Sequence, residues 1–397
     1  MPHVPASSAL SRFRLLDLSR VRAGPTCVKT FADFGADVIK IETPPELERN
    51  DGMTGERHGF DMQNLHRNKR SMTLNLKDAR GVEIFMKMVK TADAVVENYR
   101  PDVKVRLGID YESLKKTNRR IVLVSISGFG QDGPYASRPG FDQLAQGMGG
   151  LMMVTGKPGG GPMRAGAAVA DMTAGFLATI GLLTALHERE VSGEGQWVQT
   201  NLLQAQIALL DFQAARYLMK GEVPQQVGND HPVGMPTSAY KTRDGYININ
   251  ALGQAMWLRL CKALGHNELA ARPEYQDAAG RSSNRVQLNR DLEAIFVHKT
   301  SAEWTRILLE ADVPAGPIYT MDQVFADPQV EHLGAAATVN HPKLGELRLV
   351  NQPVKLSRTP ASMVRATPEL GEHTEEILAE LGYGAAQIQA LRSQKVV

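Results

Sequence analysis

RLLDLSRVRAGPTCVKTFADFGADVIKIE, residues 14–42, decides the fold. RLLDL (14–18) and ADVIKIE (36–42) read as short strands, and PTCVKTFADFG (25–35) between them reads as a helix. A strand, a helix and a second strand in so short a span leave room for one arrangement, a parallel βαβ unit. The pattern continues outward through SMTLNL (71–76), a helix near Gly81–Thr91, ADAVVEN (92–98) and IVLVSIS (121–127). Strands that alternate with helices predict a parallel sheet covered on both faces. Segment 49–70 is polar and irregular and is expected to be a long loop.

Farther along, MTAGFLATIGLLTALHERE (172–190) is apolar nearly all round until its last turn, which predicts a buried helix. The turn SGEG (192–195) leads through WVQTNLL into a long helix over 202–220. Near residue 225 the character changes: two strand-like runs flank Thr242-Arg243-Asp244-Gly245, a hairpin signal, and helical patterns follow at 253–264, 286–298 and 301–311. The expected organisation is α/β. Residues 1–200 form the first part of a large Rossmann-like domain, 201–224 a connecting helix, 225–325 a smaller α+β domain, and 326–397 a return segment on the large domain.

Composition narrows the function. With 397 residues the chain can bury two cores, and a net charge of +2 gives no footprint for nucleic acid. Cys27 and Cys261 are too few for a disulfide scaffold or a multi-cysteine zinc site, and both read as buried small residues. MPHVPASSALSRFR lacks a signal-peptide core, and no run of about 18 apolar residues suggests a membrane span. A cytoplasmic protein is expected.

Several motifs fail. RAGP (22–25) has one glycine where a dinucleotide fingerprint needs three, although Glu42 stands where a ribose-binding acid would. KPGGGP (157–162) lacks the ending of a P-loop and reads either as a mobile loop or as a flap over a reacting centre. The histidines show no metal-ligand spacing, and no G-x-S-x-G elbow occurs. The basic cluster HRNKRS (66–71), with Lys77, Arg100, Lys104 and Arg106, suits either a ligand with several phosphates or a solvated face. In RAGAAVADMTAGF (164–176), Asp171 sits among Ala and Gly. It reads as a helix cap, or as an ionised nucleophile that small neighbours leave accessible; a helix N-terminus would favour the charged form in both cases.

LLDLSRVRAGP (15–25), GADVIKIE (35–42), NKRSMTLNLK (68–77), VVENYRP (95–101), residues 125–156, GAAVADMTAG (166–175), VPAGPIYT (313–320) and LGEHTEEIL (370–378) together resemble the class III CoA-transferases, the family of formyl-CoA transferase. The resemblance implies an interlocked homodimer, a coenzyme A thioester as substrate with no tightly bound cofactor, and a small carboxylic acid as acceptor. Asp171 would be the nucleophile, passing through an aspartyl anhydride and an aspartyl-CoA thioester. It also implies CoA contacts at Val21, Arg22, Ala23, Leu74, Lys77, Asn98, Tyr99 and Arg106, and contacts near the thioester at Phe141 and Asp142. Pro139 and Thr43 stand where formyl-CoA transferase has basic residues, and Arg22 where it has glutamine. A guanidinium can grip a second carboxylate, which points to succinyl-CoA as donor and a dicarboxylate as acceptor. The alternatives are a formyl-CoA:oxalate transferase and a 2-methylacyl-CoA racemase of the same fold. The racemase would need a histidine where Phe141 stands.

Overall fold

The computed structural model describes residues 3–47 and 55–397. The chain divides into two compact units, one of Met1–Leu151, Arg164–Lys220 and Gln329–Val397, the other of Met152–Met163 and Gly221–Pro328. The glycine-rich stretch expected in the large domain therefore belongs with the small one. Gln226 Nε2 donates to the carbonyls of Thr155 and Gly161 (2.5 and 2.6 Å), and Gly228 N donates to Gly156 O.

The first unit holds β1 (Arg14–Asp17), β2 (Asp37–Glu42), β3 (Arg70–Thr73), β4 (Ala94–Glu97), β5 (Val122–Ser127) and β6 (Trp197–Asn201). Their order is β3-β2-β1-β4-β5-β6, and every neighbouring pair is parallel. Alternation along β1 sends Leu15 and Leu16 to opposite cores. Leu15 joins Val38, Val96 and Val124 under Phe31 of the helix Ala23–Asp33 and Leu182 of the helix Val169–Ser192. Leu16 joins Ile39, Val95 and Leu123 under Phe85 of the helix Ala79–Val89, and the return segment adds Ile377, Leu378 and Ile388 there.

β6 is absent from the sequence reading, which runs WVQTNLL into the next helix. It is a short edge strand, Trp197 is exposed, and only Val198 reaches the core. The helix expected over 202–220 is two helices, Leu202–Leu209 and Phe212–Lys220, parted at Asp211, whose φ of 44° no helix continues through. Of the loop expected over 49–70, Phe60–His66 is a helix, and 48–54 lie outside the described residues.

Two further expectations are corrected. The cluster 66–71 is neither a phosphate site nor a solvated face: Arg67, Lys69 and Arg70 are each 0% exposed. Arg67 pairs with Asp33 (2.7 Å), Lys69 with Asp17 (2.9 Å) and Arg70 with Asp37 (2.7 Å). Buried cations require such partners, and the acids come from β1, β2 and the helix between them, out of reach of local sequence reading. The helix Val169–Ser192 is also only half buried. By length and composition alone it is long and apolar enough to cross a membrane. One face nevertheless lies in the core through Ala170, Ala174, Ala178 and Leu182, and a Cβ on Gly175 would come within 2.6 Å of Ala23 O. Its other face leaves Phe176, Leu177, Ile180 and Leu183 exposed.

In the second unit, β7 (Thr237–Lys241) and β8 (Tyr246–Asn250) form the expected hairpin, and β9 (Ala315–Pro317) adds to β8. Trp257, Leu292, Phe296 and Trp304 from three helices pack beneath. Cys27 and Cys261 are buried, as expected.

Candidate active site

In an open parallel sheet the loops leaving adjacent strands part where the chain reverses direction of travel across the sheet. Here that point lies between β1 and β4, and a cavity of about 300 Å³ opens there. Arg20, Val21, Arg22 and Ala23 enter it from the loop after β1, and Asn98, Tyr99 and Arg100 from the loop after β4. Gly128 follows β5, and Phe141 and Asp171 complete the wall.

The β1 loop is held under strain. Val21 has φ 63°, a conformation that β-branched residues avoid. Asn98 brackets the residue before it, accepting from Arg20 N (2.8 Å) and donating to Arg20 O (2.7 Å). From beneath, Ser19 N donates to Asp17 Oδ1, and Lys40 Nζ donates to Ser19 O. Burial raises the Asp17 carboxyl, but Lys69, Lys40 and Ser19 together outweigh it and keep Asp17 below its ordinary pKa. Burial brings Lys69 down to about 8. The buried charges thus form the mount on which the strained loop sits.

The opposite wall, residues 136–141, lies against the end of β5 because both strands of backbone are bare at the crossing: a Cβ on Gly128 would fall 2.5 Å from Gly140 Cα. Arg138 lies over the Tyr135 ring at 3.6 Å. Arg20, Arg100 and Arg138 all reach the cavity, and none forms an ion pair among the described residues.

Asp171 is not the cap of its helix. Ala168 is the N-cap and offers no side-chain bond. Asp142, from another helix, takes that part, its Oδ1 accepting from Ala170 N (2.9 Å) and Asp171 N (3.2 Å). Gln146 donates to Asp142 Oδ2 (2.6 Å) and accepts from Ala165 N (2.9 Å), fixing the approach to the helix. The Asp171 carboxylate itself makes no hydrogen bond among the described residues. Burial, then the Asp142 charge, push its pKa up to about 6, with Arg22 pulling the other way. The expectation that the helix N-terminus favours ionisation is thereby reversed. The consequence is useful: a carboxylate of pKa about 6 is still mostly ionised at neutral pH, yet more basic and more nucleophilic than an ordinary one.

Among the residues singled out from the sequence, Val21, Arg22, Ala23, Asn98, Tyr99, Phe141 and Asp171 share this cavity, with Asp142 behind Asp171. Leu74 is buried in the core under the return segment, Lys77 is exposed, and Arg106 pairs with Asp102 on its own helix; none lines the cavity. Arg20 and Arg138 were not singled out, although both stand in the motif-bearing stretches 15–25 and 125–156.

His58, His341 and Glu369 come within 4.8 Å of one another, close enough to suggest a metal. The hydrogen bonds argue otherwise. His341 Nδ1 accepts from the backbone N–H groups of Lys343 and Leu344, which puts its proton on Nε2, facing Glu369. Lys343 Nζ also lies 3.1 Å from Glu369.

The description of CoA-transferase family III matches residues 10–374. The chain is 37% identical over 388 residues to the succinate–glutarate CoA-transferase of Agrobacterium fabrum, covering 94% of this chain and 95% of that one. It is 35% identical to the succinyl-CoA:mesaconate CoA-transferase of Haloarcula hispanica, over 95% of this chain and 97% of the other. Among solved structures, a CAIB/BAIF family protein from Brucella suis superposes with a TM-score of 0.82 at 34% identity, covering 94% of this chain and all of that one.

Proposed function

Because the chain belongs to CoA-transferase family III, we propose that it moves CoA from succinyl-CoA to a dicarboxylic acid with Asp171 as the nucleophile. The observation that carries this reading is Asp171, among the described residues the one carboxylate lining the cavity, without a hydrogen bond, its pKa raised to about 6 and the Arg22 charge acting on it. An Asp171 oxygen attacks the thioester carbonyl, the C–S bond breaks, and CoA leaves as thiolate from a mixed anhydride. The thiolate attacks the aspartyl carbonyl of that anhydride and releases succinate, leaving an aspartyl-CoA thioester. The acceptor carboxylate then opens this thioester, and the returning thiolate takes the acceptor acyl group and frees Asp171. No water or net proton is consumed. Each step exchanges one activated acyl bond for another, so one covalent relay suffices.

Arg20, Arg100 and Arg138 are the cations proposed to hold the CoA phosphates, since guanidiniums without an acidic partner among the described residues can match phosphate oxygens bidentately. Arg22 is proposed to take the distal carboxylate of the acyl group, a reading supported by relatives named for succinate, glutarate and mesaconate. A charge-assisted pair of this kind is worth enough that Arg22→Gln should lower the preference for succinyl-CoA over propionyl-CoA by about tenfold or more in kcat/KM. An unchanged ratio would remove Arg22 from substrate choice.

A homodimer belongs to the same proposal. The stripe Phe176, Leu177, Ile180 and Leu183 repeats at helical spacing on an otherwise core-packed helix and stands exposed, which a second copy of the chain would cover. Sedimentation at the mass of a single 43.4 kDa chain would contradict it.

A further inference from the structure

Arg22 does not reach the cavity unaccompanied. Its Nη2 donates to Asp61 Oδ2 at 2.8 Å, while Nε and Nη1 have no partner among the described residues. Asp61 stands in the first turn of the helix Phe60–His66. That short helix is firmly mounted: Met62 and Leu65 are buried, and Thr367 Oγ1 donates to the carbonyls of Met62 and Gln63 (3.2 Å each). Ahead of it, Gln63 Nε2 donates to Arg57 O, and Arg57 pairs with Glu42 at the end of β2 (2.6 Å). On the other side, the strained turn at Val21 and the Asn98 bracket fix the backbone from which Arg22 projects.

A long side chain at a cavity mouth otherwise loses much of its grip to rotamer freedom. Here one end of the fork is tied to a fixed carboxylate, and the remaining N–H groups are left for another ligand. We infer that Asp61 is a positioning residue for dicarboxylate choice, holding the Arg22 guanidinium by one nitrogen so that its other N–H groups meet the distal carboxylate of the acyl group. Both partners are partly exposed (28% and 46%), so the pair is weak. It orients Arg22 without neutralising it, and Asp171 still senses the Arg22 charge. The inference rests on the proposal that Arg22 binds that distal carboxylate.

The test compares Asp61→Ala and Asp61→Asn with Arg22→Gln, measuring kcat and KM with succinyl-CoA and propionyl-CoA. Asp61→Ala should raise KM for succinyl-CoA about fivefold, the range an exposed ion pair covers, and leave kcat and the propionyl-CoA reaction unchanged. Asp61→Asn, whose amide oxygen still accepts from Nη2, should recover most of the loss. In the double variant Arg22→Gln with Asp61→Ala, the second change should add nothing, as expected when one residue acts through the other. If Arg22→Gln loses the discrimination while Asp61→Ala keeps or sharpens it, the positioning role is overturned and the Arg22 proposal stands. If Arg22→Gln keeps it, the Arg22 proposal falls first and takes the role of Asp61 with it.

Discussion

Asp171→Asn is expected to reduce kcat for CoA transfer by roughly four orders of magnitude or more, with the protein still folded. The amide keeps the shape and removes the attacking oxygen anion, and no other carboxylate lines the cavity among the described residues. Folding should not suffer. The pKa of Asp171 is raised from 3.8 to about 6, so its ionised form costs stability above about pH 6, a cost absent below its unfolded value. A neutral asparagine avoids that cost, and the variant should unfold at pH 8 at no lower temperature than the parent. The same pKa sets a limb in the wild-type profile: kcat/KM should fall about tenfold per pH unit below about 6 as the carboxylate takes up its proton. Arg22→Gln should move that limb upward, because it removes the one charge that favours the anion. Residual activity within tenfold of the parent in Asp171→Asn would exclude the covalent role.

Asp17→Asn is expected to cost about 3–5 kcal/mol of unfolding free energy, because it strands a buried charge. Lys69 Nζ and Asp17 are both 0% exposed, and Lys40 shares the same carboxylate's field. Urea unfolding at pH 7 reads the loss directly. The pKa of Asp17 is lowered in the folded state, so its contribution is present above its unfolded value and disappears as pH falls through the folded one. The damage should also reach the site, since Ser19 N and Oγ both donate to Asp17 and begin the loop that carries Val21 and Arg22. A loss below about 1 kcal/mol would mean that water or rearrangement replaces the pair.

The sheet was legible because its strands are short apolar runs spaced by helices, and β1, β2, β4 and β5 fall within a residue or two of the expected ranges. β6 was not, because an edge strand with one core contact carries no apolar run to read. Asp171 stood out from its Ala and Gly neighbours as an accessible acid, but its electrostatics were not legible. They depend on Asp142, 29 residues earlier, which caps the helix and raises its neighbour's pKa. The basic run 66–71 misled for the same reason: its partners Asp17, Asp33 and Asp37 lie distant in sequence, and only the sheet brings them together. The Arg20, Arg100 and Arg138 group comes from three separate loops and exists only once the strand order is known.

The covalent relay is tested most directly by mass spectrometry of the peptide that carries Asp171, after incubation with succinyl-CoA and trapping with hydroxylamine. The account predicts a hydroxamate at Asp171 that forms with succinyl-CoA and is absent without the donor. An unmodified peptide under turnover conditions, in a preparation that still exchanges CoA between acids, would contradict it.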